Sequence, residues 1–441
     1  VVIVEDIDAA RRARELALAS EQRYRDLFDS NPIPMWTYDR QTLRFTAVNT
    51  AAAVHYGYSR DEFLRLNLFD IRGPEDRAQL QQRLAESQGG FVPAHEIWHQ
   101  RKDGTRMEVE VTAHDVVVDG KANRMVLALD ITERKRVDAL VKGQNRVLAR
   151  IAAGAGLDET LASLCVLLEA DSSDLLGSVM LLDADGQRLL HGAGPSLPPA
   201  YVQSIDGAQI GAQAGSCGTA AHRAETVNVT DITTNPLWQD FQQPAIALGL
   251  LACCAVPILD ACGQVLGTFA AYFTRTRGPS PAERERLQAL THTAAIAIAK
   301  DRELSALQES EARFRAIYEM APVGIMLAAR DGSILSANSR QCVITGYSEV
   351  ELKSRRVQEL VHRDTSSEVN DRNIEALESV WRGDQESYAL AKKATRPDGT
   401  DYWVEVVCCV VRDRKGDGKY SIRIVQDVTE RLNTERTIHY M

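Results

Sequence analysis

The chain has no C-x-x-C pair, no basic stripe and no apolar run long enough to span a bilayer. Its 51 Lys and Arg are outnumbered by 61 Asp and Glu, giving a net charge of −10. A surface that tracks phosphate backbones is therefore missing, which excludes nucleic acid as a partner. The longest apolar run, 245–259, is interrupted by Pro257 and falls short of the roughly 20 residues a membrane helix needs. No membrane contact is expected. Two pairs among the 8 cysteines, Cys253-Cys254 and Cys408-Cys409, are neighbours in strand-like runs. Adjacent strand residues point to opposite faces, so neither pair can readily bridge. Reduced, buried thiols and a cytoplasmic location follow as the expectation.

What is present is a chain of 441 residues, 44% apolar and 25% charged, enough for about three ordinary domains. It begins Val-Val-Ile-Val and stops at Met441 after a helix-like segment, so both ends read as cuts within something longer. Residues 1–8 read as the last strand and exit helix of an upstream module. The same hand-over from strand to helix returns at 126–134 and 424–431, each time with Asp and, three residues on, Glu (Asp130 and Glu133, Asp427 and Glu430), a capping-box-like start.

The body of the unit is duplicated as well. Ser20-Glu-Gln-Arg-Tyr-Arg25 recurs as Ser310-Glu-Ala-Arg-Phe-Arg315, Asn49 as Asn338, and Gly57-Tyr-Ser59 as Gly346-Tyr-Ser348. Arg101-Lys-Asp-Gly-Thr105 recurs as Arg396-Pro-Asp-Gly-Thr400, and its Asp-Gly supplies the positive-φ residue of a tight hairpin. After the first hairpin Met107, Val109, Val111 and Ala113 alternate with polar residues, a half-buried strand. In the second copy both faces of that strand are largely apolar, so its outer face calls for cover from a helix or a partner subunit.

Both copies resemble PAS domains, on the S-E-x-R-[YF]-R lead-in helix, the Asn before a short helix, the Gly-Tyr-Ser turn, the Asp-Gly hairpin and the closing D-[IV]-T-E-R. The resemblance implies a five-stranded antiparallel sheet with helices on one face around a small cavity, used for sensing and dimerisation. The segment between them resembles a GAF domain, on Gly215-Ser-Cys-Gly-Thr-Ala-Ala221, Val227-x-Val-x-Asp231-Ile, Pro236-Leu-Trp238 and the matching turns at 183–187 and 260–264. The predicted fold class is α+β: three sensory domains with central antiparallel sheets joined by long coiled-coil-like helices. The expected boundaries are an upstream remnant and connector at 1–19, PAS at 20–133, a connector at 134–154 and GAF at 155–281. They continue with a connector at 282–309, PAS at 310–430 and the start of a linker to an output domain at 431–441.

The connectors carry the mechanism that the sequence suggests. Leu287, Leu290, Ala294, Ala297 and Leu304 are spaced three then four, like the seam of paired helices, and Asp301, Gln308 and Glu311 continue that register with polar residues. Val137, Leu140, Gln144, Val147 and Ile151 form a second seam. A parallel homodimer with marginal, switchable pairing is the expectation.

Candidate ligand-binding residues are Trp36, Tyr38, Asn49, His55 and Tyr56 in the first PAS copy, Cys217, His222 and Trp238 in the GAF segment, and Ile325 and Asn338 in the second PAS copy. A small molecule in a PAS or GAF cavity is the expected partner; its identity is unknown. No catalytic residue and no metal site is assigned. His95-Glu-Ile-Trp-His99 matches the zinc signature H-E-x-x-H, but it falls where the other copy places a strand, and there the imidazoles lie about 13 Å apart along the chain. Haem-binding relatives place a histidine on a mid-domain helix; 75–87 has none, and His362 precedes Asp364 in a turn-like stretch. The flavin-linked Asn-Cys-Arg phrase and a bilin signature are likewise lacking. His292 reads as an ordinary helical residue, without the acidic neighbour of a histidine-kinase phosphoacceptor.

Residues 433–441 resemble the lead-in helix between a PAS domain and a GGDEF domain, the diguanylate cyclase that makes cyclic di-GMP. The resemblance implies a regulatory region of a bacterial cyclic-di-GMP enzyme, with or without a phosphodiesterase beyond. The alternatives are the sensor region of a histidine kinase, or a GAF-type methionine sulfoxide reductase acting through Cys217. The latter needs a second reactive cysteine in a loop that here, at 235–243, has none.

Overall fold

A computed structural model describes residues 22–439 apart from 24, 87–89, 119, 171 and 361–366. The upstream remnant read at 1–8, most of the first lead-in helix and His362 lie outside the described residues.

The first domain is a five-stranded antiparallel sheet of order β2-β1-β5-β4-β3. Its strands are β1 (Met35–Asp39), β2 (Phe45–Val48), β3 (Phe91–Gln100), β4 (Arg106–Val118) and β5 (Lys121–Asp130). Helices α1 (Thr50–Tyr56), α2 (Arg60–Phe63) and α3 (Arg77–Glu86) separate the two hairpins. The alternation along β4 does what its period predicts: Met107, Val109, Val111 and Ala113 are buried. The Asp-Gly turn before it places Gly104 at φ 87°, where a side chain would be strained.

α4 (Thr132–Ala152) leaves β5 after one residue. The capping box expected at Asp130 and Glu133 does not form. Asp130 instead accepts the Thr132 N–H at 2.9 Å, while Glu133 pairs with Arg136 at 2.6 Å. Backbone geometry decides this, because Asp130 is still on the strand when its carboxylate turns to meet the helix.

The second domain carries a six-stranded sheet of order β8-β7-β6-β11-β10-β9. Its strands are β6 (Leu175–Leu182), β7 (Arg188–Ala193), β8 (Ala208–Gln209), β9 (Val227–Val229), β10 (Ala252–Leu259) and β11 (Val265–Phe273). α5 (Leu157–Glu169), α4 and the start of α9 (Pro281–Met320) cover one face; α6 (Pro199–Ile205), α7 (Gly215–Arg223) and α8 (Gln242–Ala247) lie on the other. Cys254 falls in the first of these cores and Cys253 in the second, as strand alternation requires.

The seam reading of α9 needs correcting. Leu287, Leu290, Ala294 and Ala297 are buried in the domain's own core beside Leu161, Leu164 and Phe273. Gln144 of the first connector donates to the Ala289 carbonyl at 3.0 Å, and Val147 and Ile151 join the same core. Helices spaced for pairing thus pair within the chain, because the sheet they flank offers more apolar surface than a thin two-helix seam. Later in α9 the exposed large apolar residues are Leu304, Leu307, Phe314, Ile317 and Met320, which skip Gln308 and Glu311.

The chain divides after Ile298, and α9 contributes to both units. The second unit repeats the first domain's sheet as β13-β12-β16-β15-β14. The strands are β12 (Gly324–Ala328), β13 (Ile334–Ala337), β14 (Ser387–Thr395), β15 (Asp401–Arg412) and β16 (Gly418–Asp427), with α10 (Ser339–Thr345), α11 (Glu349–Lys353) and α12 (Ser367–Arg382) between the hairpins and α13 (Thr429–His439) last. On its outer face Val407 and Ile424, cross-strand neighbours, are each about two-fifths exposed at 42% and 41%.

Candidate functional site

The first domain holds a partly open cavity of about 480 Å³ between α3 and the inner face of β3, β4 and β5, within the range of small-molecule sites. Its walls are apolar where Leu80, Ile97, Val111 and Val126 meet it. Trp36 and Tyr38 line it, as the sequence suggests. Trp36 meets Tyr56 edge-on at 5.5 Å between ring centroids, and Phe63 packs beside both.

Polar groups break this wall at a few places. The Tyr56 hydroxyl lies 2.5 Å from His99 Nδ1, both residues being fully buried. Burial pushes the Tyr56 phenol up and the His99 imidazole well down, so both are neutral. The Tyr56 hydroxyl meets no other side-chain partner among the described residues, and donating its proton to Nδ1 leaves Nε2 as the protonated nitrogen. Arg72 donates to the Trp98 carbonyl at 3.0 Å and, among the described residues, forms no ion pair. Burial pulls its guanidinium down to about 10. Arg124, by contrast, is matched: its Nε meets Asp115 at 2.7 Å, and Asp115 also receives Arg40. Trp36 Nε1, Arg72 Nε and His99 Nε2 are buried without a hydrogen-bond partner among the described residues.

The remaining sequence-named residues lie elsewhere. Asn49 and Asn338 are buried helix caps: Asn49 Oδ1 accepts from Ala52 and Met35, and Asn338 Oδ1 from Gln341 and Ile325. Each fixes where its first strand meets its first helix, which is structural work. His55 lies outside the cavity, 3.0 Å from Asp130 and beside Arg101. Ile325 falls on the outer face of its sheet, opposite Ile424. His222 is exposed at the end of α7.

Cys217 and Trp238 do meet, around a GAF-segment cavity of about 30 Å³ closed by Tyr201 and Tyr272, room for about one water. Cys217 is hydrogen-bonded to Cys253, which lowers the Cys217 thiol while burial raises Cys253. The thiol beside Cys217 thus comes from β10, while the 235–243 loop carries no cysteine. Among the described residues no cluster of three or more His, Cys, Asp or Glu could hold a metal ion. The His95 to His99 segment is strand β3, not a helix.

The two PAS-like interiors differ for a definable reason. Trp36 pairs across the sheet with Val126, and its counterpart Met326 pairs with Arg423. Arg423 and Lys392 point into the second interior and leave it about 30 Å³, with burial pulling Lys392 down to about 8.

Sequence reasoning missed Arg72, His99 as a cavity group, and Arg124. Arg124 could have been found, since it shares the inward parity of Val126 and Ala128. Arg72 lies in a turn with no period to read.

The PAS domain family matches residues 32–133 and 322–430, and the GAF domain family matches 154–299. Over 96% of its length the chain is 30% identical to a methyl sulfide methyltransferase-associated sensor of Methanosarcina acetivorans, covering 42% of that protein. Over 30% of its length it is 28% identical to the probable diguanylate cyclase DgcE of Escherichia coli, covering 11% of it. The sensor histidine kinase TmoS of Ectopseudomonas mendocina is 27% identical over 31% of the chain, which covers 14% of that kinase. The chain thus spans less than half the length of each of these relatives. No described helix is long and apolar enough to cross a membrane.

Proposed function

We propose that this chain, in which two PAS domains flank a GAF domain, is the regulatory region of a cyclic-di-GMP enzyme, with the first PAS domain as its small-molecule sensor. The observation that carries the reading is a physical link. Val126 lines the cavity from β5, and four residues later the same strand ends at Asp130 and passes into α4. Filling the cavity therefore acts on the strand that sets where the connector helix begins.

Two copies in parallel would convert that into output, because a cyclase must bring two active sites together. A ligand that favours one connector geometry by about 1.4 kcal/mol shifts the population tenfold. Exposed apolar residues of α9, Leu304, Leu307, Phe314 and Ile317, are the surface for that pairing. Likeness to a probable diguanylate cyclase supports the cyclic-di-GMP output; likeness to a sensor histidine kinase supports a kinase output as the second reading.

The test is made on the intact protein that carries this region. Conversion of GTP to cyclic di-GMP that changes when the cavity is blocked by Ala113→Trp supports the first reading. ATP-dependent autophosphorylation that responds in the same way replaces it with the second. Output indifferent to the cavity in both assays rejects the sensory role of this domain.

A further inference from the structure

The polar groups of the first cavity have a common sign. Trp36 Nε1, Arg72 Nε and His99 Nε2 are all N–H donors, all belong to residues at least nine-tenths buried, and all lack an acceptor among the described residues. No acceptor in the cavity wall is left in the same condition: Asp76 is held by Arg106 at 3.1 Å, and the Tyr56 hydroxyl is used on His99. A neutral ligand would need donors and acceptors in balance, and among the described residues the unmet buried groups of this wall are all donors. The charge is also one-sided: among the described residues Arg72 forms no ion pair, Arg83 lines the same wall, and the Asp115 carboxylate is shared between Arg124 and Arg40; a buried guanidinium without a counter-ion is unfavourable until an anion reaches it.

We propose that this cavity binds an organic carboxylate with an apolar body, the carboxylate accepting from Arg72, His99 and Trp36 and the body lying against Leu80, Ile97 and Val126. The inference rests on the sensory reading above and narrows its ligand class. Carboxylate fits because it is acceptor-only and can engage a guanidinium edge together with further N–H groups. An amino acid fits poorly, because its ammonium would face donors and a carboxylate already bound to Arg106.

The roles of the three donors differ. Arg72 supplies charge from the turn after β2 and α2, and its Nη1 bond to the Trp98 carbonyl fixes the guanidinium plane. His99 is kept neutral by burial, so it reads the carboxylate by direction, its tautomer set by Tyr56. Trp36 forms part of the apolar wall and gives one N–H at its edge.

The experiment titrates the whole chain with phenylacetate, 3-methylbutanoate, phenylacetamide and phenylalanine, following Trp fluorescence and calorimetric heat. The expected result is saturable binding of one or both carboxylates, with phenylacetamide and phenylalanine weaker by roughly tenfold or more, as loss of a charge-assisted hydrogen bond implies. Arg72→Met should abolish carboxylate binding and raise the melting temperature of the unliganded protein, because it removes a buried unpaired charge. Trp36→Phe removes one donor and should weaken binding, but it also shrinks a fully buried ring; the Arg72→Met variant, weaker in binding yet higher in melting temperature, is the one that separates recognition from folding. Equal binding of acid and amide, or undiminished carboxylate binding by Arg72→Met, overturns the proposal while leaving the sensory reading intact. Failure of every carboxylate to bind also overturns it. The Ala113→Trp output assay then decides the sensory reading separately.

Discussion

Arg101 holds Asp130 at 3.0 Å, and in the second PAS domain Arg396 holds Asp427 at 2.8 Å. In each copy the arginine opens the Asp-Gly hairpin and the aspartate closes the last strand. The same carboxylate accepts the backbone N–H of the threonine that starts the outgoing helix, Thr132 or Thr429. That threonine's hydroxyl in turn accepts from a strand N–H, of Glu108 or Trp403, at 2.9 Å. Hairpin, strand end and helix start are thereby fastened at one point.

Replacing Arg101 by methionine should therefore affect transmission more than stability. The pair is partly solvated, so its loss costs about 1 kcal/mol. Amide exchange in the first turn of α4 should rise several-fold in Arg101→Met, while exchange in β4 stays as it was. Unchanged exchange at 132–136 would show that the fastening does not hold the helix.

Acid should weaken the first domain specifically. His99 and His55 are both held below the ordinary imidazole value, His99 by burial first and His55 by burial and Arg101. A histidine whose folded value is lowered takes up its proton more readily when unfolded. Its contribution to stability is complete above about 6.5 and is lost as the pH falls below that value. For His99 alone the slope approaches about 1.4 kcal/mol per pH unit between 6.5 and its folded value. Urea unfolding at pH 7.5 and 5.5 should show this loss, and His99→Gln should flatten it. A slope unaltered by that substitution would mean that other groups govern acid stability.

Gln144 should matter inside a single chain. Its amide donates to the Ala289 carbonyl at 3.0 Å and to the Thr293 hydroxyl at 3.3 Å. Gln144→Ala removes both and should cost about 1–2 kcal/mol, measurable by denaturant unfolding at any protein concentration. Leu307→Glu with Phe314→Glu should instead leave unfolding of a single chain unchanged and lower the self-association seen by analytical ultracentrifugation. Dependence of the Gln144→Ala effect on concentration would place that residue in a subunit interface.

Much of this protein was fixed by its order of residues. Periods of two along β4, Asp-Gly turns at 103 and 398, the paired Asn49 and Asn338, and the strand-to-helix phrase at Asp130 and Asp427 are local signals, so the duplicated α+β fold could be read from them. Trp36 and Tyr38 were legible as cavity residues for the same reason, since a strand's parity assigns its faces. What needed tertiary structure was every property that depends on what lies opposite. The apolar stripe Leu287, Leu290, Ala294 and Ala297 reads the same whether it meets a second subunit or its own sheet, and only packing assigns it to the sheet. A turn with no period to read delivers Arg72 beneath β3, where among the described residues no carboxylate pairs with it, and Arg423 closes the sister cavity because it replaces Val126 across from the first strand. Periodicity tells which way a side chain points; only the closed fold tells what it finds there.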